Sequence, residues 1–419
     1  MAHFDSTGAA AWRRGGETAH PGRVALACMI TLAAALGIGR FAFTPLLPLM
    51  LHAGALDLRA GGLLASANYA GYFLGALTCA FLPVEHARMV RAGLVATAVL
   101  TLAMGLIDSF PVWMAIRFSA GVVSAWTFVF ASQWGLARLA KLGAPAWGGV
   151  IYTGPGIGIV ATGLIVSAAA SLGAKAGWIV FGVLCVAATA AVWRTLAPSA
   201  AGAGSRSDAA RVPSEKQSAS PSAAAGTGSA APIGARERRM QSIGLVVLYG
   251  MPGFGYIITA TFLPVIARHA LPGSRWPDLF WPMFGAALIP GSLFAARLPA
   301  RWDNRMLLAV SYVVQAAGIV LGIVLPTALG FAIGSMLIGL PFTAITLFAM
   351  REARRLHGEH AAGLMGYATA AYGIGQIAGP LVAAPIAAHT GSFTPALWLA
   401  AGVLILGAAG LAMLAAKSR

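Results

Sequence analysis

The 419-residue chain is 58% hydrophobic and only 10% charged, and it carries a formal net charge of +16. A soluble protein of this length needs far more charge to cover its surface. The composition therefore excludes an ordinary soluble globular protein and indicates a membrane protein. The 52 glycines suit helices that pack closely in lipid.

Stretches without charged residues recur along the whole chain, and about 20 apolar residues are enough to span a bilayer. Residues 306–350 and 360–416 are each long enough for two spans. The pattern predicts an all-α membrane protein with twelve transmembrane helices, six on each side of a central segment. The predicted divisions are an N-terminal tail (1–23), a first half (24–197), a linker (198–239), a second half (240–416) and a C-terminus (417–419).

The central segment is rich in Ala, Ser, Gly and Pro over residues 198–235. Such a composition cannot bury a core, so we expect a disordered linker between the two halves. The three cysteines, Cys28, Cys79 and Cys185, fall in predicted spans without a CxxC pair. We therefore expect no disulfide, no metal site and no cofactor.

Basic residues set the predicted orientation. If the N-terminus is cytoplasmic, the outer loops hold only Arg59, Lys175, Arg268 and Arg275, and the remaining loop arginines and lysines lie on the inner face. Cytoplasmic loops carry an excess of Lys and Arg, so both termini are predicted to be cytoplasmic. This bias explains the net charge without a nucleic-acid partner.

Two arginines, Arg40 and Arg117, sit inside long apolar runs that contain no Asp or Glu. A charge in hydrocarbon is costly, so it usually faces a polar cavity or pathway. Arg40 is predicted to bind an anionic substrate group. The alternative is a structural arginine that bonds carbonyl groups freed where Pro45 distorts the helix. Arg117 either shares the site or extends outward towards the membrane surface.

The two halves contain matching patterns. Gly37 and Gly39 precede Leu47-Pro48 in the first span, and Gly253 and Gly255 precede Leu263-Pro264 in the seventh at the same spacing. Gly156 and Gly158 in the fifth span match Gly373 and Gly375 in the eleventh. The pattern indicates an internal repeat. Tyr256 then occupies the position that Arg40 holds in the first half.

Two six-helix halves with a cytoplasmic central loop are typical of major facilitator transporters. The string from Gly37 to Pro48 resembles the opening signature of the YbfB/YjiJ-like branch of that superfamily, and Asn68-Tyr69-Ala-Gly71-Tyr72 resembles its continuation. The resemblance implies a major facilitator fold and a transport role, without a substrate.

Wider superfamily motifs imply residues for coupling or gating. The segment from Arg117 to Ala125 is similar to a fourth-span motif whose arginine is tied to proton coupling in exporters. Gly154-Pro155 resembles the fifth-span Gly-Pro motif of antiporters, with Val150 in place of its first glycine, and Gly379-Pro380 repeats the theme in the eleventh span. These motifs favour export.

The other candidate substrate-binding residues are uncharged. Asn68 and Tyr72 share one helical face, as do Tyr372 and Gln376; an amide in lipid is alternatively a bond between helices. Tyr256 is placed in the cavity by the repeat. Phe43 and Trp126 either line the cavity or pack in the core. Asp108 is either a solvated loop charge or a proton acceptor beside Arg117.

The sequence thus predicts a secondary transporter of the bacterial inner membrane that works by alternating access. The expected substrate is a small organic anion, and the expected state is a monomer. The expected coupling ion is the proton by family analogy, with anion exchange or uniport as the alternatives because the spans contain no carboxylate. The alternatives are a proton-linked exporter of amphiphilic drugs and a membrane sensor that does not transport. An enzyme is not expected, because the chain has no nucleophile–base pair, metal set or phosphate-binding loop.

Overall fold

The computed structural model describes residues 20–196, 234–299 and 301–416. Within these ranges every regular element is helical and no strand is present. The all-α prediction is therefore confirmed for this part of the chain. Almost all of the predicted tail and linker lies outside the described residues.

The first half is built from eight α-helical pieces. They are α1 (Pro21–Leu32), α2 (Phe43–His52), α3 (Leu58–Thr78), α4 (His86–Leu106), α5 (Phe110–Lys141), α6 (Gly148–Ile151), α7 (Gly154–Ala169) and α8 (Gly173–Val192).

The second half has seven α-helices. They are α9 (Ala235–Ala270), α10 (Pro277–Arg297), α11 (Asn304–Val324), α12 (Ala328–Gly339), α13 (Phe342–His357), α14 (Ala362–Thr390) and α15 (Thr394–Ala416). Two predicted boundaries differ from the structure. Helix α9 begins at Ala235, inside the range predicted for the linker, and α1 begins at Pro21 rather than Val24. Polar and basic residues extend both helices beyond the apolar run.

Ten helical segments of the described residues are long and apolar enough to cross a membrane. One of them, Pro145–Val192, is 48 residues long and contains both α7 and α8, which a short 3₁₀ turn at Ala170–Leu172 separates. Helix α3 is 21 residues long but does not meet the same measure of hydropathy. The chain is accordingly a multi-pass membrane protein.

The first membrane segment is broken at its middle. After α1 the chain widens into a π-helical turn over Ala33–Ile38, in which the Gly39 amide donates to the Ala34 carbonyl (2.9 Å), and α2 starts only at Phe43. Pro45 lies in the first turn of α2, where its missing N–H is tolerated. The irregular stretch therefore precedes Pro45 and places Arg40 between two helical pieces.

Close backbone contacts of the first half recur in the second. A Cβ on Gly121 of α5 would overlap the carbonyl oxygen of Asn68 in α3, and a Cβ on Gly339 of α12 would overlap that of Phe284 in α10. The offset along the chain that relates Gly37 to Gly253 also relates Asn68 to Phe284. Small residues thus bring equivalent helix pairs together in the two halves.

The two halves meet mainly through three pairs of elements. Helix α3 packs against α14, α7 packs against α10, and α2 packs against α9. Arg40 lies where α2 begins, so it sits beside this interface. The candidate site is built from side chains that face one another across it.

Candidate functional site

Arg40 is buried between the two halves, with 6% of its surface exposed. Its Nη2 donates a hydrogen bond of 3.0 Å to Oε1 of Gln376 in α14. The centre of its guanidinium lies 3.9 Å from the Tyr72 ring centroid and 5.3 Å from that of Tyr69. Its Nε has no hydrogen-bond partner. Aromatic faces attract the cation, but none of these partners carries a negative charge.

Gln376 links Arg40 to a second predicted residue. Its Oε1 accepts from Arg40, and its Nε2 donates to the hydroxyl of Tyr256 in α9. The first half thus contributes the cation, and the second half contributes the amide and the phenol. The structure brings these three predicted residues together in one buried chain of hydrogen bonds.

A stack of rings continues from Tyr256. The Tyr256 and Tyr372 rings are stacked with centroids 6.0 Å apart, and the Tyr372 and Tyr249 rings are stacked at 5.0 Å. Phe342 packs edge-on against Tyr256 at 5.1 Å. Tyr249 and Phe342 were not predicted. Tyr249 had a detectable signal, because it lies two helical turns before Tyr256 and so on the same face.

Arg117 has a different environment, although only 2% of its surface is exposed. Its Nη1 and Nη2 donate to the backbone carbonyls of Gly39 (3.4 Å) and Arg40 (3.2 Å). Its guanidinium lies 4.9 Å from the centroid of the Phe43 ring. The structural role that the sequence left open for Arg40 is therefore filled by Arg117. The side chain does not extend to the membrane surface.

Asn68 forms a hydrogen bond with the backbone of Arg117. Its Nδ2 donates to the Arg117 carbonyl at 2.9 Å, while its Oδ1 is buried without a partner. Asn68 and Tyr72 thus share a helix but face different neighbours. Phe43 is fully buried beneath Arg117 and packs in the core.

Asp108 and Trp126 each follow the structural alternative that the sequence left open. Asp108 does not pair with Arg117: its Oδ2 accepts from Nζ of Lys175 at 2.5 Å, and both side chains are exposed. Lys175 lies in the first turn of α8. Trp126 donates from its indole nitrogen to Oγ1 of Thr78 at 2.9 Å. It packs against a core cluster around Phe130, which is separate from the central cluster that contains Tyr69 beside Arg40.

The glycines of the Gly-Pro motifs lie at helix contacts. A Cβ on Gly154 would overlap the carbonyl oxygen of Met29 in α1, and one on Gly379 would overlap the side chain of Ile257 in α9. Pro155 stands in the first turn of α7 and Pro380 inside α14. Gating by these positions stays a prediction.

One buried carboxylate was missed. Helix α13 continues beyond the charge-free stretch and carries Glu352, of which 1% is exposed. Glu352 accepts two hydrogen bonds from Arg355, at 2.7 and 2.9 Å, and lies 3.6 Å from Nε of Arg305. Its charge is thus matched by Arg355 in the same helix and by Arg305 at the start of α11. The signal was present, because Glu352 follows an apolar run within two turns.

Comparison with known proteins gives the family. A family model described as "Uncharacterised MFS-type transporter YbfB" matches the chain twice, over residues 32–225 and 217–413. No curated protein matches. Two solved structures of the nucleoside transporter NupG are similar: one of a mutant form (TM-score 0.70, 15% identity, 93% of this chain and 99% of that chain) and a second structure (0.66, 11%, 94% and 98%).

At such identities the structural likeness shows the fold alone. The family model covers nearly the whole described chain, which confirms the resemblance drawn from the motifs around Arg40 and Asn68. The chain is a member of the YbfB family of MFS-type transporters.

Proposed function

We propose that this secondary transporter carries a small organic anion, bound at Arg40 between its two halves. The observation that carries the proposal is a buried guanidinium that no carboxylate neutralises. Among the described residues, Arg40 forms no salt bridge, and its partners are one amide and a set of aromatic rings. An uncompensated buried charge costs several kcal/mol, on the order of the Born penalty after relaxation. An anionic substrate supplies the missing charge.

Arg40 and Arg117 differ in what holds them. Backbone carbonyls that cannot rotate away hold Arg117. A single side-chain amide holds Arg40, and its Nε remains unpaired. A planar fork of donors binds a carboxylate in two-point fashion. Arg40 can therefore exchange Gln376 for a substrate carboxylate at little cost, and Arg117 cannot.

The transport cycle that we propose is alternating access between two six-helix halves. Twelve spans result when α3 is counted and Pro145–Val192 is divided into α7 and α8. The recurring glycine contacts support a repeat. The distribution of basic residues supports a cytoplasmic N-terminus in the bacterial inner membrane.

Hydrogen bonds between the halves support a conformation closed on the outer side. In this orientation α3 begins outside and α14 ends outside. Arg59 contacts His389 (2.7 Å), Ser66 donates to the Ile377 carbonyl (2.9 Å), and the hydroxyl groups of Tyr69 and Thr261 are 3.0 Å apart.

Export, proton coupling and a monomeric state complete the proposal. The Gly-Pro motifs at Gly154-Pro155 and Gly379-Pro380 favour export. Proton coupling follows the family analogy.

Thermal unfolding of the purified protein against organic anions, cations and neutral amphiphiles tests the substrate class. A ligand that binds only the folded state raises its stability by an amount set by concentration and affinity. We expect stabilisation by anions that Arg40→Ala abolishes. The control is Arg138→Ala, which removes an exposed arginine at the end of α5. Normal anion affinity in Arg40→Ala would refute the proposal.

Export of neutral amphiphilic drugs is the second candidate, and the stack of Tyr249, Tyr372 and Tyr256 favours it. The same measurement separates the two. Stabilisation by neutral amphiphiles that persists in Arg40→Ala would assign binding to the rings and a structural role to Arg40.

A further inference from the structure

A recess lies away from Arg40, where the loop after α10 meets the end of α13. Its volume is about 530 Å³. Five of its eight lining residues are arginines, and the lining comprises Arg301, Trp302, Asp303, Asn304, Arg305, Arg351, Arg354 and Arg355. In the proposed orientation the recess opens on the cytoplasmic side of the membrane.

The Asp303 carboxylate fixes one wall of the recess. Asp303 caps α11 by accepting from the Arg305 amide at 2.9 Å, and it also accepts from Nε (3.1 Å) and Nη2 (2.9 Å) of the same residue. Burial alone would raise the pKa of the Asp303 carboxyl, but the hydrogen bonds and charge of Arg305 hold that pKa below its usual value. The Asp303 charge therefore persists at neutral pH.

Glu352 fixes the opposite wall. It binds Arg355, whose Nη2 also donates to Oε1 of Gln241 at 3.0 Å. Arg305 reaches across to Glu352 and also donates to the Leu414 carbonyl (2.9 Å). These bonds tie α9, α11, α13 and α15 together. Arg305 and Arg355 are thus engaged with the two carboxylates.

The other three arginines are in excess of the acidic groups. Among the side chains that the structure describes, Arg301, Arg351 and Arg354 form no salt bridge with a carboxylate. Arg351 donates to the Leu298 carbonyl at 3.3 Å, and Arg301 and Arg354 are exposed at the rim. Five guanidinium groups thus share two carboxylates in a preformed recess.

We propose that this recess binds a phosphate-bearing anion at the cytoplasmic face. Guanidinium forks match the oxygens of a phosphate in two-point contacts. Basic pockets between membrane helices on this face suit the headgroups of anionic lipids. Trp302, which is 48% exposed at the rim, suits a position at the membrane interface. The ligand is the phosphodiester of an anionic phospholipid or a free phosphate, and the two sources share this chemistry.

The experiment measures thermal unfolding of the full-length protein in detergent with three additions: phosphatidylglycerol, phosphatidylcholine at the same mole fraction, and inorganic phosphate. The test variant is Arg301→Gln with Arg354→Gln. The control variant is Arg138→Gln with Lys141→Gln, which removes the same charge from the exposed end of α5. Unfolding without additions shows whether each variant folds. If the double variant does not fold, Arg301→Gln alone replaces it.

We expect saturable stabilisation by phosphatidylglycerol but not by phosphatidylcholine, with an affinity at least about tenfold weaker in the test variant and unchanged in the control. Stabilisation by inorganic phosphate with the same sensitivity supports a free anion as the ligand. An equal loss in both variants, or stabilisation by neither phosphate source, overturns the proposal. Arg40 takes no part, so the result is independent of the substrate site.

Discussion

The guanidinium of Arg117 donates to the backbone carbonyl of Arg40 at 3.2 Å, so the two intramembrane arginines are direct neighbours. Their charges serve different purposes. Arg117 satisfies carbonyls that the break between α1 and α2 leaves without an intrahelical donor, and Arg40 is left to face the other half. The break between α1 and α2 therefore positions Arg40 at the interface, and Arg117 stabilises the irregular backbone of the break.

Substitution of Arg117 is expected to lower the stability of the fold. Arg117→Gln removes donors from the carbonyls of Gly39 and Arg40, and each unsatisfied buried acceptor costs about 1–3 kcal/mol. We expect a lower unfolding temperature in Arg117→Gln and also in Arg117→Lys, because an ammonium cannot reproduce the fork. Thermal unfolding without ligand measures this, with Arg40→Gln as the matched control. Equal stability of the Arg117 and Arg40 variants would contradict the division of roles.

Gln376 offers a test of charge at nearly constant shape. In Gln376→Glu the new carboxylate would face Arg40 at the position of the present 3.0 Å hydrogen bond, and the nearby cation would keep it ionised. The site would then be neutral. We expect anion affinity to fall at least about tenfold, which corresponds to about 1.4 kcal/mol.

The control at this position is Gln376→Leu, which removes the hydrogen bonds but leaves the Arg40 charge available. We expect a smaller loss of anion affinity in this variant than in Gln376→Glu. Titration of the unfolding temperature with the anion found in the first screen gives both affinities. An unchanged affinity in Gln376→Glu would mean that the anion does not bind at Arg40.

The sequence was informative about the site where polarity was unusual for a membrane span. Arg40 and Gln376 stood out among apolar residues, and the repeat placed Tyr256 opposite Arg40. The roles of the two arginines could not be separated in this way. They depend on which carbonyls after the π-helical turn at Ala33–Ile38 lack a helical partner, and that turn packs mainly against α7.

Glu352 shows a second limit of sequence reasoning. Apolar runs mark where a span lies in the bilayer, but helix α13 continues past its apolar run to His357. The apolar run therefore says nothing about a carboxylate that lies beyond it. Its burial depends on Arg305 and Arg355, which reach it from α11 and from the next turn of α13.

Gly37 is expected to tolerate no side chain. A Cβ at this position would overlap the Cα of Gly158, so the π-helical turn and α7 are in backbone contact. Gly37→Ala should reduce the yield of folded protein and lower its unfolding temperature, since neither backbone can move without opening the pair. The control is Gly402→Ala in α15, where an added Cβ meets no atom within 4 Å. Equal behaviour of the two variants would show that the contact is not required.

The bond between Tyr69 and Thr261 is expected to hold the outer side closed. The two hydroxyl groups are 3.0 Å apart and belong to different halves. Tyr69→Phe and Thr261→Val each remove one hydroxyl with little change of shape, and a net hydrogen bond contributes about 1 kcal/mol. Either variant should increase hydrogen–deuterium exchange in residues 58–62 and 383–390, the outer ends of α3 and α14.

Because both variants lose the same bond, the double variant should exchange little faster than either one. Tyr367→Phe, on the exposed inner part of α14, should leave exchange at these ends unchanged. Additive effects in the double variant would show that the two residues act separately and that the bond does not hold the outer side closed.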